Sequence, residues 1–130
     1  MKFSTKTTYA LRAVIRLKKE KDLISLARIA KEEKISLSYL ERIFADLKKA
    51  GLIEAETGAL GGYRLKKNWP SLSVYDIIIA VEGRENMFHC FEKNKKVFCH
   101  PGCRCLADSA ILKIEQAIDK TLKNLKLKDL

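Results

Sequence analysis

The chain has 130 residues, 47% of them apolar and 32% charged, which suits one compact domain or a small domain with an arm. No apolar run approaches the ~18 residues that cross a bilayer, so membrane insertion is excluded, and neither low-complexity tracts nor internal repeats interrupt the chain. The net charge of +10 is uneven: residues 1 to 67 hold sixteen Lys/Arg against eight Asp/Glu, residues 68 to 130 ten against eight. The front half therefore carries a positive field suited to a polyanion such as double-stranded DNA, with solubility as the competing use of such a surface.

Helical spacing of Ala10, Leu11, Ala13, Val14 and Ile15 predicts a first helix over Thr5 to Lys19. Ser25 stands at an N-cap position before Leu26, Ala27, Ile29 and Ala30, predicting a short helix to Glu33, with Lys34 and Ile35 as a turn. In the next segment Ser38 and Glu41 have the S-x-x-E spacing of a capping box, and Leu40, Ile43, Phe44 and Leu47 share one face. This third helix is expected to end at Ala50, with Gly51 as its stop. A short helix, a tight turn and a longer helix with a Ser- and Tyr-rich start is the order of a helix-turn-helix, although a plain three-helix bundle has it too.

Leu52 to Thr57 and Tyr63 to Lys67 flank the loop Gly58-Ala59-Leu60-Gly61-Gly62 and read as a β-hairpin. After a recognition helix such a hairpin is the wing of a winged helix. Gly61 and Gly62 are expected to adopt positive φ and lie close to phosphate, with Arg64 and Lys66 nearby. Arg42, Lys48 and Lys49 are further candidates for phosphate contact, with solvated surface charge as the default for each.

Beyond Trp69-Pro70, Ser73 and Asp76 predict a capped helix over Val74 to Glu82, ended by Gly83. From Leu106, the residues Ala110, Ile111, Ile114, Ala117, Ile118, Leu122 and Leu125 form a stripe of about five turns that a small body cannot cover alone. A second copy would cover it, giving a homodimer whose recognition helices lie about one DNA turn (~34 Å) apart and a palindromic operator. The expected fold class is mainly α with a small β-hairpin wing, a winged helix-turn-helix plus a long C-terminal dimerisation helix. The expected division is 1–82 for the DNA-binding body, 83–105 for a cysteine-rich sensor loop and 106–130 for the dimerisation helix and tail.

Four cysteines, Cys90, Cys99, Cys103 and Cys105, fall within sixteen residues and the other 114 residues have none. The opening MKFSTKTTYALRAVIRL has neither the apolar core nor the cleavage site of a signal peptide, so a cytoplasmic setting and thiolate chemistry are expected rather than a disulfide framework. Soft thiolates at this density select an iron-sulfur cluster, zinc or copper(I). The spacing C-x8-C-x3-C-x-C lacks the paired C-x2-C knuckles of many structural zinc sites.

The stretches FSTKTTYALRAV, ISLSYLERIFADLKKAGLI, GALGGYRL, SVYDIIIAVEG and the final LKDL resemble, in order and spacing, the Rrf2 family of bacterial winged-helix regulators, over nearly the whole chain. The resemblance implies a homodimeric transcription factor, expected to be a repressor, in which Ser36, Ser38, Tyr39 and Glu41 lie where the recognition helix meets DNA. Glu41 is implied to discriminate between operators, since a carboxylate accepts from cytosine N4; capping the helix with Ser38 is its other role. In the wing, Thr57 stands where the family commonly has an arginine. Several members sense iron-sulfur, nitric oxide or redox status through a cluster, 2Fe-2S or 4Fe-4S, and Cys90, Cys99 and Cys105 match three of its ligands. The fourth is open: some members use a histidine where this chain has Asp108, others an acidic residue of the second subunit where it has Thr8. Cys103 heads the candidates, followed by Asp108, then His89 and His100. Cys103 is otherwise a redox-active free thiol.

A regulator of the same fold holding zinc or no metal, controlled by thiol oxidation or a protein partner, is the alternative. A small iron-sulfur electron carrier would leave the helix-turn-helix and wing without use. No Ser/His/Asp arrangement or phosphate-binding glycine loop suggests an enzyme.

Overall fold

The structure, a computed structural model, describes residues 3–83 and 105–130. Helices α1 (Thr5–Lys19), α2 (Leu26–Glu33) and α3 (Leu37–Lys49) lead into strands β1 (Ile53–Glu56) and β2 (Gly62–Leu65), a short 3-10 turn at Trp69–Ser71, α4 (Val74–Glu82) and α5 (Asp108–Asn124). The mainly helical fold with a two-stranded hairpin is the one expected.

Helix α1 starts at Ser4, whose hydroxyl accepts from the Thr7 amide at 3.1 Å. Its inward side consists of Thr7, Ala10, Ala13, Val14 and Leu17, and the two fully buried alanines let neighbouring helices approach closely. Against it lie Ile29 and Ala30 of α2, Leu40, Ile43, Phe44 and Leu47 of α3, and Ile77 and Val81 of α4. Deleting a side chain as large as buried Phe44 from such a core costs about 3–5 kcal/mol.

The turn between α2 and α3 is made by Lys34 in a left-handed conformation (φ 54°), while the Ile35 amide donates to the Ala30 carbonyl at 3.0 Å. Helix α3 ends as expected: Ala50 is its C-cap, Gly51 has φ 75°, and the Gly51 and Leu52 amides donate to the Lys48 and Leu47 carbonyls. The hairpin is antiparallel, with Ile53 opposite Leu65 and Glu54 opposite Arg64. Alternation puts Ile53 and Leu65 into the core and Tyr63 edge-on to Phe44 at 4.9 Å, leaving Glu54, Glu56 and Arg64 outward. Helix α4 opens with the expected capping box, in which Asp76 accepts from the Ser73 amide at 2.7 Å, and it closes at Gly83 (φ 66°).

The long C-terminal stripe lies on α5 over about five turns, as expected, with Leu106 just before the helix and Leu125 just after it. Beyond α5 the chain returns to the body. Lys126 bridges to Ser73, the Leu127 amide donates to the Leu72 carbonyl at 2.8 Å, and Leu127 is fully buried. The tail after the helix, for which the sequence offers no role, is anchored in the core by Leu127.

Candidate nucleic-acid interface and cysteine segment

The start of α3 is held from two directions. Ser36 is the N-cap, its hydroxyl accepting from the Tyr39 amide at 3.2 Å, and behind it Tyr39 packs edge-on against Tyr9 of α1 with ring centroids 5.8 Å apart. Arg12 in turn lies over the Tyr9 ring at 5.6 Å and bonds to Glu33. With Leu40, Ile43 and Phe44 buried below, Ser38, Glu41 and Arg42 are left exposed. The capping box expected of Ser38 and Glu41 does not form. Ser38 lies inside the first turn with its hydroxyl 3.5 Å from that of Ser36, so Glu41 has no capping role and its carboxylate points to solvent.

A charged lattice braces α1 and α2 behind this helix. Arg16 bonds to Glu20 and Glu32, and Arg28 bonds to Glu32 at 2.8 Å. The Arg16 hydrogen bond, then that of Arg28, holds the Glu32 carboxyl below the usual carboxylate range.

In the wing, the guanidinium of Arg64 is 2.6 Å from Glu54 and 2.9 Å from Glu56. The hydrogen bond to Glu54 raises the Arg64 pKa, and the same bond lowers that of Glu54. The expected positive φ is found at Gly62 (158°) and not at Gly61, and Gly58 adopts it as well (113°). What Gly61 and Gly62 share is close backbone approach: a Cβ on Gly61 would stand 2.2 Å from the Glu56 carbonyl oxygen, and one on Gly62 2.6 Å from that of Ile24. Both glycines thus shape the hairpin itself.

Cys90, Cys99 and Cys103, with His89 and His100, lie outside the described residues. Cys105 is half-exposed as a free thiol, and its carbonyl accepts from the Asp108 amide where α5 begins. The Asp108 carboxylate accepts from the Ser109 amide at 2.6 Å. Among the described residues no group of three metal-ligating side chains converges.

Sequence reasoning missed a junction at the other end of the cysteine segment. Glu82, the last residue of α4, accepts hydrogen bonds from the hydroxyls of Ser4 and Thr7, which fixes the start of α1 to the end of α4. Thr7 faces inward on α1 where the apolar pattern calls for a hydrophobe, and that was the only available signal.

A helix-turn-helix followed by a hairpin wing defines a winged-helix protein of the kind that reads DNA. Residues 3–130 match the Rrf2 family, described as an iron-dependent transcriptional regulator, and the chain belongs to that family. The HTH-type transcriptional regulator IscR of Cereibacter sphaeroides is 44% identical over 93 residues, a match covering 68% of this chain and 60% of that protein's length. Two solved structures share the fold: IscR of T. potens (28% identity, TM-score 0.77, 99% of this chain and 85% of that one) and CymR of B. subtilis, described as the global cysteine regulator (30% identity, TM-score 0.78, 99% and 95%). The chain is thus a transcriptional regulator of the Rrf2 type. Among the described residues no helix is long and apolar enough to cross a membrane.

Proposed function

We propose that the protein is a homodimeric repressor that binds a palindromic operator and carries an iron-sulfur cluster on its cysteine segment. The observation that carries this reading is the position of Cys105, three residues before a helix with inverted burial. The one buried residue of α5 is Glu115, whereas Ile111, Leu112, Ile118 and Leu122 are half-exposed and Ile114 is 48% exposed. A water-facing stripe of that length suits a twofold partner. A sensor joined directly to it would act on the geometry of the dimer.

Ser38, Glu41 and Arg42 are assigned to the major groove, with Ser36 and Tyr39 setting the pitch of α3. Freed from capping, the Glu41 carboxylate is available to accept from cytosine N4 and to disfavour bases that present only acceptors. The four soft thiols fit an iron-sulfur cluster. Cys90, Cys99 and Cys105 are the first three ligands and Cys103 the fourth, ahead of Asp108, whose oxygen is a harder donor already engaged with the Ser109 amide. Cys105, joined directly to α5, would pass the presence or loss of such a cluster to the angle of that helix against the body, and so to the separation of two recognition helices. A tenfold change in operator affinity needs only about 1.4 kcal/mol of difference between those geometries.

The likeness to CymR favours one second reading: a regulator of the same fold in which the thiols act by oxidation, or hold zinc. Anaerobic purification with a visible spectrum and iron and sulfide analysis separates the two. Matched iron and sulfide, lost in Cys99→Ala and Cys105→Ala while the dimer persists, is the expected result. A colourless protein that takes up no iron on reconstitution would replace the cluster by zinc or thiol redox.

A further inference from the structure

We propose, building on the assignment of this winged helix to DNA, that Leu60 is the wing's reading residue, an apolar wedge that enters the minor groove and senses step deformability. The tip of the hairpin, residues 57 to 62, contains no charged side chain. The one arginine on its strands, Arg64, is paired with Glu54 and Glu56 and stands on the strand, two residues past the tip. What the tip presents instead is a leucine that is 93% exposed, while the other large apolar residues of the hairpin, Ile53 and Leu65, are buried.

The tip is a closed turn. The Gly61 amide donates to the Gly58 carbonyl at 3.0 Å, closing a turn with Ala59 and Leu60 at its two corners. Gly61 is packed so closely on the Glu56 carbonyl that a Cβ would meet it at 2.2 Å, and the Gly62 backbone abuts Ile24. A side chain held out on a preformed turn loses little freedom when it inserts. Leucine offers no hydrogen bond and no charge, so it cannot read base edges or neutralise phosphate. It can part a weakly stacked step, as apolar wedges in minor-groove binders do, and the sequences that accept this most easily are pyrimidine–purine steps such as TA and CA.

The test is selection of duplexes from a random-sequence pool by the full chain, in wild type, Leu60→Ala and Glu41→Ala, followed by affinity and salt dependence on the wild-type duplex. Position 60 is solvent-exposed, so the substitution leaves folding intact. Leu60→Ala is expected to keep the motif read by α3, lose the flexible-step preference beside it, and bind about tenfold more weakly with an unchanged slope of log K against log salt. Glu41→Ala is expected to change the motif and keep the step. Selection and affinity unchanged in Leu60→Ala would overturn the proposal and leave Leu60 as a contact for a protein partner. A wild type that selects no sequence would overturn the DNA assignment itself, and the wedge with it.

Discussion

Gly62 and Ile24 run backbone against backbone: the Ile24 and Tyr63 amides donate to each other's carbonyls at 3.1 and 2.9 Å, and a Cβ at position 62 would meet the Ile24 carbonyl oxygen at 2.6 Å. The root of the wing is thereby stitched to the chain just before α2. Gly62→Ala has to separate the two segments and break both bonds, a loss of about 2–4 kcal/mol. Gly58→Ala, with nothing within 4 Å of its added carbon, meets only the strain of its φ of 113°, about 1–2 kcal/mol. Urea unfolding of the two variants should rank them in that order.

The cap of α3 separates two serines that are alike in sequence. Ser36→Ala removes the acceptor for the Tyr39 amide and is expected to cost about 0.5–2 kcal/mol of stability, with DNA affinity falling as the helix start frays. Ser38→Ala leaves that cap in place and should keep stability within about 0.5 kcal/mol while weakening operator binding. Thermal unfolding paired with a binding titration distinguishes the two roles.

Most of the body was legible because its elements are locally encoded. The apolar spacing in Ala10 to Leu17 and Leu40 to Leu47, the caps at Ser25 and Ser73, and the stops at Gly51 and Gly83 are all set within a few residues. What was missed has two causes, a turn geometry that the residue pattern leaves open and contacts distant in sequence. Ser36 and Ser38 both precede an apolar run, and only the turn at Lys34 decides which becomes the cap. The packing of Gly62 on Ile24 joins segments 38 residues apart, and no local pattern announces it. The pairing of Arg64 with Glu54 follows from the strand register, which the sequence alone does not fix. Nothing near Leu127 in the sequence announces its core position.

That buried tail leads to a stability prediction. Leu127 is fully enclosed, its amide donates to the Leu72 carbonyl, and the Leu125 carbonyl accepts from the Val74 amide at the start of α4. Leu127→Ala is expected to cost about 2–5 kcal/mol, as a core cavity would, although the residue is fourth from the end. Leu130→Ala, 46% exposed, should change stability by less than about 1 kcal/mol. Denaturant midpoints compare them directly.

The α1–α2 lattice gives stability an acid limb. Because the Arg16 and Arg28 hydrogen bonds lower the folded pKa of Glu32, its stabilisation is complete above the ordinary carboxylate value of about 4.3 and is lost as pH falls through the lowered folded value. Wild type and Glu32→Gln should therefore differ most near neutrality and converge as pH drops below about 4. Melting temperatures across pH 3 to 7 check this; a difference that grows on acidification would mean the pairing is not stabilising.

In the proposed function, what the cysteine segment holds governs how the protein, as a dimer, binds DNA. This is tested most directly by titrating a duplex selected by the anaerobically purified protein with that same protein before and after iron removal, alongside Cys99→Ala, with light scattering to follow the dimer. At least a tenfold change in affinity on iron removal, reproduced by Cys99→Ala in a protein that stays dimeric, is the predicted result. Equal affinity in all three states would contradict the account.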